Sequence, residues 1–254
     1  MTPVKMNTFD NLEELQISFD RNKLNTTLDK SEKVQMLITA FLRFHLTPLS
    51  TVHTSLNEIV SSCGYSTKSN NKENNSFFKE VLKDMVAKKI IYTDNIDGLK
   101  NSQLFVIHCI NKSIFYHNKF FVLLNYNEFN SIVNAPSTVS KANLLHGYLL
   151  VKQYIYHQMS DDVPKISYPS KQELTKRLGY SSDTSTETLL KNLVSSGLLH
   201  VKTGMYIKKD GVVIPTRNVY ALNKSELKHA DTVLKEFYQV DKIYTKKNKT
   251  SITT

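Results

Sequence analysis

Five side chains near position 188 share a chemistry and a spacing. At about 100° per residue, Thr184, Ser185, Thr188, Lys191 and Asn192 project outward from a helix whose Leu189 and Leu193 side faces in. They are short hydroxyls, an amide and an ammonium, the groups that hydrogen-bond to base edges when a helix enters a major groove. Thr186 falls on the inward arc and is not expected to make a contact. Around this helix stand further cations, Lys171 and Lys176 before it and Lys202, Lys208, Lys209 and Arg217 after it, in positions where phosphate contacts are expected.

The residues that could do covalent or metal chemistry are not organised in the same way. Thirteen tyrosines, eight histidines and two cysteines are present. No two histidines stand at the adjacent or helical spacing through which a metal is shared. His108 and Cys109 are neighbours in a strand-like run, where successive side chains point to opposite faces, so a structural pair is expected there. The seven glycines form neither a phosphate loop nor a dinucleotide fingerprint. No catalytic centre, metal or cofactor is expected. Cys63 and Cys109 are too few and too far apart for a disulfide framework, which fits a reducing compartment.

Charge points to the same half of the chain. The formal net charge is +10. Residues 1–135 carry 15 Lys or Arg against 13 Asp or Glu, and residues 136–254 carry 18 against 10. A surplus confined to one half suits an acidic polymer as partner, because cations that neutralise phosphates release condensed counterions. Hydrophobic residues make up 40% of the chain, yet none of their runs approaches the roughly 18 residues of a membrane span. The opening stretch Met1–Asp20 holds acids and no apolar signal core. A cytoplasmic protein without membrane contact is expected.

The elements that must position these groups come from an internal repeat. Ser55-Leu-Asn-Glu58-Ile59 followed by Gly64-Tyr65-Ser66 matches Ser170-Lys-Gln-Glu173-Leu174 followed by Gly179-Tyr180-Ser181, offset for offset. Ser-x-x-Glu predicts a capping box at a helix start, and the glycine predicts a left-handed stop. A second amphipathic stretch follows in each copy, with Leu189, Leu190, Leu193 and Val194 inward in one and Phe78, Leu82 and Met85 inward in the other. Two strands then form a hairpin. The second copy places Leu198–Lys202 and Val212–Leu222 about Asp210-Gly211, and the first places Ile90–Thr93 and Leu104–Ile110 about Asp97-Gly98. Helices over 31–44 and 140–159 precede the copies, and Ser225–Tyr238 predicts a closing helix with a Ser cap.

The expected fold class is therefore α+β, mainly α, as two tandem winged-helix (helix-turn-helix) domains. Residues 1–30 are unassigned, 31–135 form module 1, 136–238 form module 2 with its closing helix, and 239–254 form a basic tail with Lys242, Lys246, Lys247 and Lys249. The outward face of the second helix of module 1 carries Lys79, Glu80, Lys83 and Asp84 beside Ser76 and Ala87. Its acids oppose a phosphate backbone, so partner contact is expected there. About seven extra residues within Thr67–Ser76 separate the turn from that helix.

The stretch from Tyr168 through Gly179-Tyr180-Ser181, continuing to Thr184, Leu190, Leu193 and Gly197-Leu198-Leu199, resembles the helix-turn-helix of replication proteins from plasmids and phages of low-GC bacteria. Two such modules with a basic second one are similar to the tandem winged-helix replication initiators. The resemblance covers roughly residues 31–222 and implies sequence-specific binding of double-stranded DNA at an origin, with a second copy or a replication protein as partner. A transcription regulator with the same modules and a non-catalytic protein-interaction adaptor are the alternatives.

Overall fold

The computed structural model describes residues 15–67, 72–111, 113, 115, 120–155 and 163–245. The fold is α+β, about half helical, with small antiparallel sheets. It divides into two compact units, one of residues 1–20 and 30–135, the other of residues 21–29 and 136–254.

In the first unit, α2 (Lys30–Phe44) is followed by β2 (Thr51–Ser55), α3 (Leu56–Ser62), α4 (Lys72–Ala87), β3 (Ile91–Tyr92) and β4 (Leu104–Cys109). β4 lies between β2 and β3, antiparallel to both. Leu37, Phe41, Ile59, Phe78, Leu82 and Met85 from the three helices are all buried and make the core. A separate two-stranded sheet pairs β1 (Gln16–Asp20) with β5 (Phe121–Asn125), which leads into α5 (Tyr126–Asn134). Asn125 and Glu128 form a complete capping box, each side chain satisfying the other's backbone N–H.

The second unit repeats the order: α6 (Lys141–Ile155), β6 (Ile166–Ser167), α7 (Lys171–Leu178), α8 (Asp183–Ser195), β7 (His200–Lys202) and β10 (Val219–Ala221). β10 lies between β6 and β7, the same arrangement of first, last and second strand as in the first unit. Leu145 and Leu149 of α6, Leu174 and Leu178 of α7 and Leu189 and Leu193 of α8 are buried. The predicted helix beyond Ile155, residues 156–159, lies outside the described residues.

Both expected serine caps form, since Ser55 Oγ accepts from Glu58 N–H and Ser170 Oγ from Glu173 N–H. The reciprocal half of each box does not. Glu58 Oε2 instead accepts from the Thr54 hydroxyl at 2.9 Å, and Glu173 Oε1 from the Tyr154 hydroxyl at 2.7 Å. In each case another hydroxyl takes the carboxylate.

The second hairpin differs from the sequence expectation in having four strands where two are predicted. β8 (Met205–Lys209) and β9 (Val212–Pro215) flank Asp210 and Gly211, whose positive φ values of 50° and 80° make the left-handed two-residue turn. The pairing register of β8 with β9 is continuous with that of β7 with β10. Between them Gly204, at φ 70°, lets the ribbon bend, and Arg217 N–H turns away to donate to the Tyr238 hydroxyl at 3.0 Å. The outer edge of β8 is covered by β11 (Tyr244–Thr245) from the segment expected to be a tail. Of that tail, Lys246, Lys247 and Lys249 lie outside the described residues.

Three further expectations change. In the first hairpin the left-handed residue is Asn95, at φ 47°, whose side chain accepts from Gly98 N–H at 3.2 Å. Of the extra residues, 72–76 form the start of α4, because they contain no Gly or Pro and Glu73 suits the positive end of a helix dipole; residues 68–71 lie outside the described residues. The closing segment opens as a 3₁₀ turn at Lys224–His229 capped by Asn223, and only then becomes α9 (Ala230–Tyr238). Ala230 and Leu234 of α9 pack with Ile166, Met205, Val219 and Ala221.

Residues 21–29, unassigned by sequence, belong to the second unit. They contain α1 (Arg21–Leu24), and Leu24 and Leu28 are buried. Among the described residues no helix is long and apolar enough to cross a membrane.

Candidate nucleic-acid interface

α8 is positioned by what lies behind it. Its inward residues Thr186, Leu189 and Leu193 are fully buried. The Thr175 hydroxyl of α7 lies 2.8 Å from both Asp183 Oδ1 and Thr186 Oγ1, so the first turn of α8 is pinned to α7 by a partly buried polar cluster. Ser182 caps the helix by accepting from Ser185 N–H at 3.5 Å.

On the outer face Thr184, Ser185, Thr188 and Lys191 are exposed and Asn192 is half-exposed. The Thr188 hydroxyl donates to Thr184 O at 2.9 Å and Asn192 Nδ2 to Thr188 O at 2.8 Å. In both bonds the side chain donates, so Thr188 Oγ1 and Asn192 Oδ1 keep their capacity to accept.

The same helix carries an acid that lies outside the expected set of contacts. Glu187 accepts from Lys171 Nζ at 2.5 Å, with both side chains less than half exposed. This hydrogen bond holds the Glu187 carboxyl below its ordinary value and raises the Lys171 ammonium. The helical position of Glu187, one step from the arc of Thr184 and Lys191, is the sequence signal that points to it. The pair lines a shallow cleft of about 380 Å³ with Leu190, Lys191, Val194 and Tyr220.

The remaining expected phosphate contacts divide. Lys176, Lys208 and Lys209 are exposed, the last two next to the hairpin turn. Lys202 is on β7, away from that turn, and is paired with Asp231 of α9 at 2.9 Å. The Arg217 guanidinium donates to Tyr168 O at 3.3 Å and lies 4.8 Å above the Phe237 ring. It lines a cavity of about 680 Å³ together with Tyr154, Ser167, Glu173 and Phe237. Lys202 and Arg217 thus fasten α9 to the sheet.

A polar chain with no signature in the sequence ties residues 21–29 to α6 and α7. Arg21 Nη2 donates to Gln153 O at 2.5 Å, Gln153 Nε2 to Asn25 Oδ1 at 2.6 Å, and Arg177 Nη1 to the same Asn25 oxygen. Arg177 Nη2 also bonds Glu173 Oε1 at 3.1 Å, which in turn holds Tyr154. Burial, then this hydrogen bond, pushes the Tyr154 phenol up.

In the first unit the charged face of α4 is balanced internally. Lys79 Nζ donates to Asp97 O at 2.8 Å and Leu99 O at 3.2 Å. Lys83 pairs with Glu80 and with Asp97, each at 2.9 Å, and Asp84 pairs with Lys88 at 2.6 Å. The bond from Lys83 holds the Asp97 carboxyl low. Cys63 and Cys109 are buried, and desolvation raises the Cys109 thiol to about 11.

No protein-family model and no curated protein matches this chain.

Proposed function

We propose that this chain is a non-catalytic, cytoplasmic protein that binds double-stranded DNA sequence-specifically through two winged-helix units, with the second unit reading the duplex. Its role on this reading is replication initiation at a plasmid or phage origin. The observation that carries the reading is the exposed arc of Thr184, Ser185, Thr188 and Lys191 on a helix followed by a hairpin with Lys208 and Lys209 at its turn. A reading helix and a basic wing divide the work of base and phosphate contact in this way. The helix, strand, helix, helix, strand, strand order in both units supports the fold assignment.

For the first unit we propose contact with a second copy or with a replication protein. Its α4 presents Glu80 and Asp84 with their balancing lysines, and large apolar residues such as Leu104 and Phe120 stand exposed on the same unit. Selection of bound duplexes from a random and a genomic library tests the whole reading. Enrichment of repeated sites at an origin is the expected result. A site over a promoter would instead make the protein a transcription regulator, and failure to enrich any duplex would leave the adaptor.

A further inference from the structure

The turn Gly179–Ser182 connects α7 to α8, so its backbone angles set where the first turn of α8 points. Gly179 sits at φ 70°, a conformation that glycine adopts without a steric penalty. The space a side chain would take there is filled from elsewhere: a Cβ on Gly179 would lie 2.5 Å from Thr27 Cγ2. Thr27 Oγ1 also reaches Lys176 O at 3.5 Å, the carbonyl that accepts from Gly179 N–H. Two residues earlier, Asn25 Oδ1 takes donors from both Arg177 of α7 and Gln153 of α6. Buried Leu24 and Leu28 bracket these contacts and anchor the segment.

We propose that residues 21–29 are a positioning strap of the DNA-reading unit, in which Asn25 and Thr27 fix the α7–α8 turn and hence the presentation of Thr184, Ser185 and Thr188. The proposal rests on the duplex-binding reading above. Neither residue needs to touch DNA. The strap is bounded on both sides by the first unit, at Asp20 and Lys30, so the backbone passes between the units at 20–21, 29–30 and 135–136. Residues 136–254 alone therefore lack part of the unit that holds the reading helix.

The test uses the full chain with Asn25→Ala, Asn25→Asp, Thr27→Ala, Gly179→Ala and the double variant Thr27→Ala with Gly179→Ala. Binding is measured on the selected duplex and on a scrambled one, and thermal unfolding is followed in parallel. Loss of a residue that couples to a site without touching it changes affinity by roughly 3- to 10-fold. Asn25→Ala should show that loss on the selected duplex and less than about 2-fold on the scrambled one, because exposed phosphate-contacting lysines are unchanged. Asn25→Asp, which keeps the acceptor, should restore the ratio. In the double variant the removed methyl relieves the contact at Gly179, so its thermal midpoint should fall by less than the two single shifts together.

An unchanged ratio of selected to scrambled binding in Asn25→Ala, or simple additivity at Thr27 and Gly179, would overturn the strap while leaving duplex binding standing. If the unaltered chain enriches no duplex, the functional reading fails and the strap's role in DNA reading falls with it. The thermal cycle then still reports whether the strap is seated on the turn.

Discussion

Gly147 of α6 and Leu189 of α8 approach so closely that a Cβ on the glycine would lie 2.4 Å from Leu189 Cδ2. A glycine in a helix interior is locally unfavourable, and here it lets α8 pack directly on α6 behind it.

Gly147→Ala should destabilise the second unit. Overpacking costs about 1 to 3 kcal/mol, and alanine's advantage in a helix offsets about 1 kcal/mol of that. A lowered thermal midpoint is expected. Combining it with Leu189→Ala removes the opposing atoms, so the double variant should lose less than the two single losses together. Strict additivity would show that the two positions do not touch in solution.

Thr188→Ala with Lys191→Ala should change which duplex is preferred, each good base contact contributing about 1 to 3 kcal/mol of discrimination. Lys208→Ala with Lys209→Ala should weaken selected and scrambled duplexes by similar factors and flatten the slope of log affinity against log salt by about 1 for each phosphate left without its cation. Titrations at several salt concentrations separate the two. If the hairpin pair shifts preference and the helix pair does not, the hairpin is the reading element.

On the proposed duplex-binding role, Glu187→Gln should raise affinity for duplex DNA of any sequence, by about 3-fold or more, since it removes an acid from α8 and releases Lys171 toward phosphates. The ion pair also has a defined pH range. The Glu187 carboxyl is held below its ordinary value of 4.5, so its stabilising effect is complete above that pH and is lost as pH falls through the lower folded value. A carboxyl titration followed by NMR should place Glu187 below the other exposed glutamates, and a normal value would remove the pair.

Truncation after Asp241 should destabilise the second unit although it removes part of a segment rich in lysine. It takes away Ile243, packed against the cluster that includes Met205 and Leu234, and Tyr244, which pairs with Tyr206 on the edge of β8. Full burial of one large apolar side chain contributes about 1.5 to 3 kcal/mol, and Ile243 is only partly buried, so roughly half of that is expected. Chemical denaturation should show a loss of that order, whereas an unchanged midpoint would mean that β11 adds nothing to the fold.

Much of each unit was legible in the sequence because its signals are local. Ser55 and Ser170 cap, Gly179 stops α7 in the left-handed conformation, and Leu189 and Leu193 turn inward, all as the spacing predicts. Such features depend on hydrogen bonds and side-chain periodicity within a few residues. The fate of the charged side chains was decided by residues distant in sequence. Glu173 is taken by Tyr154 instead of its own cap, Lys202 is held by Asp231, Arg217 is stacked on Phe237, and Lys171 is neutralised by Glu187. A lysine's type gives its charge, but only the fold determines which carboxylate lies within reach. Residues 21–29 are the extreme case. They carry no periodic pattern of their own, and their place beside Gly179 comes from the missing side chain there, whose space Thr27 fills, and an acceptor at Asn25, contacts made across roughly 150 residues of chain.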